Sequence, residues 1–155
     1  MDLTELKSVL SEMISGAPGF AQVDLLEAFP VGRALPLPGA AMLISIDSLE
    51  LTPAAIAGFA GEVAGAAITM RFDLFAPEQC GADLHGLYAC LCALLMSRGT
   101  DFGVERVWSE RLTWDDAAGS YRLSARALMR GRASCAPPSE PAQEISDFRL
   151  RARLQ

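Results

Sequence analysis

Residues 67–77 read AITMRFDLFAP, and this stretch decides the fold. Ile68, Met70, Phe72 and Leu74 fall on one side of an extended chain, and Thr69, Arg71 and Asp73 on the other. A period of two is the pattern of a strand with one buried face. Pro77 has no amide donor and ends the pairing. Immediately beyond, the period changes. From Asp83 to Arg98, Leu84, Leu87, Tyr88, Leu91, Leu94 and Leu95 recur at helical spacing and form one broad apolar face. Asp83 suits the positive end of the helix dipole and Arg98 the negative end, with Gly99 as terminator.

Further strands flank this pair. AMLISIDSLEL (41–51) alternates, with Met42, Ile44 and Ile46 on one face and Ser45 and Asp47 on the other. VERVWSERLTW (104–114) runs into the turn cluster Asp115–Gly119, and SYRLSARALM (120–129) returns as the second arm of a hairpin. In that arm Tyr121, Leu123, Ala125, Ala127 and Met129 share a face. At the N-terminus Leu3, Leu6, Leu10 and Met13, flanked by Val9 and Ile14, predict a short amphipathic helix stopped by Gly16 and Pro18. Residues 30–40 form a proline-bearing extended connector, and 53–66 reads as irregular chain plus a short strand. The expected class is α+β: a mainly antiparallel sheet on one central helix, about 83–98, plus the short N-terminal helix. The expected core is Ile44, Ile46, Ile68, Met70, Phe72, Leu87, Leu91, Leu94 and Leu123.

With 155 residues, the chain has the size of a single domain. The expected domain is 1–131. Beyond it lies a proline-rich linker and a strand-like tail (132–155), in which Phe148, Leu150, Ala152 and Leu154 alternate with Arg149, Arg151 and Arg153. The tail could pair with its own sheet or add a strand to a neighbour. No stretch approaches the roughly 18 to 20 apolar residues that cross a bilayer. The N-terminus lacks the basic start and apolar block of a signal peptide, so a cytoplasmic protein is expected. The four cysteines fit a reducing compartment and read as buried free thiols. Cys90 and Cys92, two apart on a helix, diverge by roughly 200°, which is poor geometry for one metal.

Charge is uneven. Residues 1–66 hold eight acids against Lys7 and Arg33, whereas 67–155 hold eleven of each sign, for a net −6 overall. That balance disfavours nonspecific nucleic-acid binding. Catalytic constellations are missing as well. His85, the only histidine, stands beside Asp83 in the first turn of the central helix and reads as a polar helix-start residue. Gly58, Gly61 and Gly65 match neither a dinucleotide fingerprint nor a P-loop. Asp47 with Glu50, and Asp115 with Asp116, are sequence neighbours that cannot flank a cleft as acid and base. No catalytic, metal or cofactor residues are expected, and the chain reads as a non-enzyme. A small ligand-binding domain, using a pocket near His85, Tyr88 and Trp108, is the contrasting class.

The arginines carry the remaining signal. Arg71, Arg122, Arg126 and Arg130, with Phe148, Arg149, Leu150, Arg151 and Arg153 on the tail, form the candidate subunit or partner interface. A one-sided arginine stripe could meet the acidic N-terminal third of a neighbouring copy in a head-to-tail ring. The alternative is a solvated face balanced by Asp73, Glu105 and Glu110.

Read in order, the run LPGAAMLISIDSLELTPAAIAGFAGEVAGAAITMRFDLFAPEQCGADLHGLYACLCALL resembles small proteins of prophage tail operons in Gram-positive bacteria. It holds a proline-bearing connector, a strand, a stretch ending in a glycine-acid pair (Gly61-Glu62), a strand, a glycine-containing loop and a helix. With the hairpin 104–130, the order resembles the tail-terminator (tail-completion) family over residues 1–130. The resemblance implies a structural protein, a hexameric ring that caps a tail tube and stops its polymerisation; another tail or neck adaptor protein of the same fold is the alternative within this class. The implied partners are other copies of the chain, the tube protein and, in contractile tails, the sheath and neck proteins. Membranes and sequence-specific nucleic acid are not implied, and the expected location is the cytoplasm during assembly, then the particle.

Overall fold

The computed structural model describes residues 3–30, 37–53, 63–98, 103–134 and 151–154. Two helices and seven strands follow one another as α1 (Leu3–Ser15), β1 (Asp24–Leu26), β2 (Ala41–Pro53), β3 (Val63–Ala76), α2 (Leu84–Ser97), β4 (Val104–Ser109), β5 (Thr113–Asp115), β6 (Ser120–Ser134) and β7 (Arg151–Leu154). The fold is α+β, as the periodicities imply. One sheet has the order β1-β2-β3-β6-β4, and β5 and β7 also pair with β6. Every pairing is antiparallel except β1 with β2.

Both helices cover one face of the sheet. Leu6, Leu10 and Ile14 of α1 and Leu84, Leu91 and Leu95 of α2 are buried against Met42, Ile44, Ile68, Met70, Phe72, Leu74, Leu123, Ala125, Ala127 and Met129. Asp83 caps α2 by accepting a bond from the His85 amide at 3.1 Å. Gly86 lies close beside that cap: a Cβ there would stand 2.7 Å from the Asp83 carboxylate, which would have to shift from its capping position.

Several expectations need correction. Leu87 and Leu94 are only partly buried, and the stripe on α2 is centred on Leu84, Leu91 and Leu95. Ile46, expected in the core, is 37% exposed, and Tyr121 is 41% exposed. Ile46 stands on the outer strand of the sheet, and its register neighbours further in, Met70 and Ala127, are fully buried, so the helical cover stops short of the β2 edge; Tyr121 is the second residue of β6, at the end of the sheet. The segment 104–114 is two strands, since β4 ends at Ser109 and β5 starts at Thr113. Val63–Ala67 extends β3 before its expected start, while 54–62 lies outside the described residues. Three residues are too few for periodicity to announce β1. Cys90 is exposed rather than buried; Cys80 and Cys92 are half-buried, and all three are free. Cys135 lies outside the described residues.

The domain boundary at 131 also falls inside a strand. Gly131 faces Ala66 on one side and Leu154 on the other, within ladders that run on to Ser134. A glycine there lacks a side chain to pack but still pairs through its backbone. The tail strand β7 therefore completes the same sheet in cis, along the β6 edge that β5 and β4 occupy further back.

Candidate functional site

The arginine stripe lies on the sheet face away from the helices. At one end of that face Leu37, Ala41, Leu43, Phe75 and Ala118 form a second small apolar cluster. Phe29 packs edge-on against Phe75 at 5.7 Å, and the Arg122 guanidinium lies 5.6 Å over the Phe29 ring. The rest of the face mixes ion pairs with Leu128 and Trp108, the register partners of Arg106 and Arg126.

Asp73 is the centre of the ionic region and is 1% exposed. Its Oδ1 accepts bonds from the Ser124 hydroxyl and, at 3.1 Å, from Arg71 Nε. Arg71 Nε is also 3.0 Å from Oδ2, but without the alignment of a hydrogen bond, and Oδ2 has no aligned donor. Arg122 Nε lies 3.9 Å from the same carboxylate. A buried carboxylate persists in such a site only when cations and donors surround it.

Asp47 serves the next two arginines. Between Ile46 and Ser48 the β2–β3 register shifts. Such a bulge gives the strand an extra residue and re-aims its side chain. Asp47 is that residue, and its carboxylate reaches Arg126 at 2.9 Å and Arg71 at 3.9 Å. Glu110 binds Arg126 from the other side, and the two carboxylates, Glu110 foremost, hold the Arg126 guanidinium above its ordinary value. Arg122 bonds Asp115 at 2.8 Å. Asp115 also builds the hairpin turn, accepting the amides of Ala117 and Ala118 at 3.0 and 3.1 Å. Gly119 closes that turn at φ +58, which a residue with a Cβ adopts only under strain. Arg130 pairs with Glu105 at 2.7 Å on the exposed margin.

Arg71, Arg122, Arg126 and Arg130 therefore lie on one face as expected, each with a carboxylate partner in its own chain. Asp73, Glu105 and Glu110, the residues of the solvated-face alternative, supply three of those partners. Asp47 and Asp115 supply the others; alternation already set Asp47 on this face, but its reach to Arg71 and Arg126 depends on the strand register, and that of Asp115 on turn geometry. Arg151 and Arg153 stand on β7, where Arg153 is the direct register partner of Arg132. Arg132 was missed because it follows Gly131. Phe148, Arg149 and Leu150 lie outside the described residues.

Elsewhere, a concavity of about 290 Å³ opens at the start of α2, lined by Glu78, Asp83, His85, Leu112 and Tyr121 among others. Tyr88 and Trp108 do not line it. The Tyr88 hydroxyl is held above its ordinary value, first by a hydrogen bond with the Cys92 thiol one turn along α2, then by burial. Among the described residues no group of three or more His, Cys, Asp or Glu side chains could hold a metal ion. No described helix is long and apolar enough to cross a membrane. No protein-family model matches the sequence, and no similar chain is found among the curated proteins.

Proposed function

We propose that this chain is a structural assembly protein that forms a ring on the end of a phage-type tail tube, stops tube polymerisation and offers a joining surface. One observation carries the reading. β1 pairs only with Ala41–Leu43, so the edge of β2 from Ile44 to Pro53 has no strand partner among the described residues, and Ile46 and Leu51 (42% exposed) stand along it. Monomeric proteins protect such edges, and an open one is a template for a neighbour. The element order, with a helix, a strand pair, a central helix and a hairpin, further supports the likeness to tail terminators stated from the sequence. Adjacent copies, the tube protein and, in contractile tails, sheath or neck proteins are the partners in this reading.

Light scattering with negative-stain imaging tests it, together with tube-protein polymerisation in the presence of the chain. A ring and shortened tubes are the expected results. A monomer that leaves tube length unchanged overturns the proposal. The concavity beside His85 favours the second reading, a small ligand-binding domain; it predicts a ligand-raised melting point.

A further inference from the structure

Among the described residues the sheet has a second open edge. β4 pairs with β6 on one side and with no strand on the other, at the margin opposite β2. The ladders set the two edges at one level. Ile44, Phe72, Ala125 and Ser109 form one row across the sheet. Ile46, Met70, Ala127 and Val107 form another, and Leu49, Ile68, Met129 and Val104 a third. β4 therefore spans the rows of Ile44–Leu49, where β1 leaves β2 open. β1 itself stops at Leu43, whose row runs through Asp73 to Ser124, one step short of the row of Ser109. It does not obstruct a strand laid against that edge.

The edges also match in chemistry. On the helix face Ile46 is exposed, and Leu49, Val104 and Val107 are only half-buried, so one more strand would cover apolar side chains on both. On the other face Glu50 is exposed on β2 and Arg106 on β4, and among the described residues neither has an ion-pair partner. Arg106 lies 4.8 Å over the Trp108 ring. Glu50 exerts only a weak through-space pull on Arg130, which Glu105 already holds at 2.7 Å.

We infer that the open edge of β2 in one copy takes β4 of the next copy as its neighbour, so that one sheet continues around the ring. The pairing is antiparallel, because β2, β3, β6 and β4 alternate in direction. Continuing the rows across the contact sets Val107 against Ile46 and Val104 against Leu49. Arg106 then falls opposite Ser48 and diagonal to Glu50, a spacing of about 7 to 8 Å that long side chains bridge. Different patches of each copy meet, so the contact is heterologous and closes into a ring when the rotation between copies permits. The inference rests on the ring reading above and names the contact within it.

Cross-linking tests it. Within one chain Ile46 and Val107 are three strand spacings apart, roughly 14 Å. A disulfide cannot span that distance, so I46C/V107C can join these positions only between copies. On oxidation it should give a ladder of covalent oligomers up to the ring on a non-reducing denaturing gel, whereas I46C, V107C and the wild type should not. E50R and R106E should each melt like wild type, yet raise the protein concentration at which the ring falls apart in light scattering. E50R/R106E should bring that concentration back toward wild type, because every contact again joins opposite signs. If I46C/V107C gives no ladder while the wild type is a ring, the contact is wrong and the ring reading stands. Covalent dimers of I46C alone would mean that two β2 edges meet each other, and the inference fails. E50R and R106E rings as stable as wild type would overturn it too. A monomeric wild type overturns both readings.

Discussion

Arg71 on β3 and Arg126 on β6 are direct register partners, and the Asp47 carboxylate answers both, 3.9 Å from one and 2.9 Å from the other. Two cations side by side on adjacent strands would repel. The bulge in β2 removes the conflict by presenting an anion from a third strand, so the stripe is a set of crossed ion pairs with Asp73 and Glu110 at its flanks.

Asp47→Ala should therefore cost about 1 to 2 kcal/mol in urea unfolding, more than a typical exposed pair, because it leaves two partly buried guanidinium groups facing each other. Adding Arg126→Gln should recover part of that loss. Purely additive effects in the double-mutant cycle would show that the three residues act independently.

Asp73→Ala should be the most damaging change on this face, about 3 to 5 kcal/mol, since it takes the aligned acceptor from both Arg71 and the buried Ser124 hydroxyl. Asp73→Asn keeps the shape and an acceptor for Ser124, so it should cost less. Equal losses would place the effect in packing rather than in charge.

Leu91 is fully buried at the centre of the α2 stripe. Leu91→Ala should destabilise by roughly 2 to 5 kcal/mol, as expected for a cavity beneath a helix. By contrast, His85→Ala should change little, because the exposed residue contributes its backbone amide to the Asp83 cap and any residue but proline retains that bond.

The folded-state value of Tyr88 is raised above 10.0, so the unfolded chain loses this proton first as pH rises. The associated stability is intact below about pH 10 and is lost as pH climbs through the folded value. Tyr88→Phe should flatten that alkaline decline in melting temperature. An unchanged slope would remove Tyr88 from the account.

Deleting 136–155 removes β7 and exposes the edge of β6 at Gly131–Ser134. Every residue of the two buried clusters precedes 131, so the truncated chain should still melt cooperatively. Loss of folding would instead make β7 a structural requirement.

Element type was written locally. The alternation of Ile68, Met70, Phe72 and Leu74, the spacing of Leu84, Leu91 and Leu95 and the Asp115–Gly119 turn each express a backbone geometry within a few residues of chain. So did membership of the arginine face, because alternation assigns Arg71, Arg122, Arg126 and Arg130 to one side wherever the strands lie. What only the tertiary structure decided was who neighbours whom. The register of β3 on β6 set Arg71 opposite Arg126, a bulge turned Asp47 toward them, and the cis pairing of β7 joined Arg153 to Arg132 across the linker. These relations depend on contacts between segments tens of residues apart, so a pattern with a period of two or 3.6 carries no record of them. The same limit explains Ile46. Its alternation is that of a core residue, but its burial depends on how far across the sheet, toward the β2 edge, the helices reach, which is a property of packing and not of the strand itself.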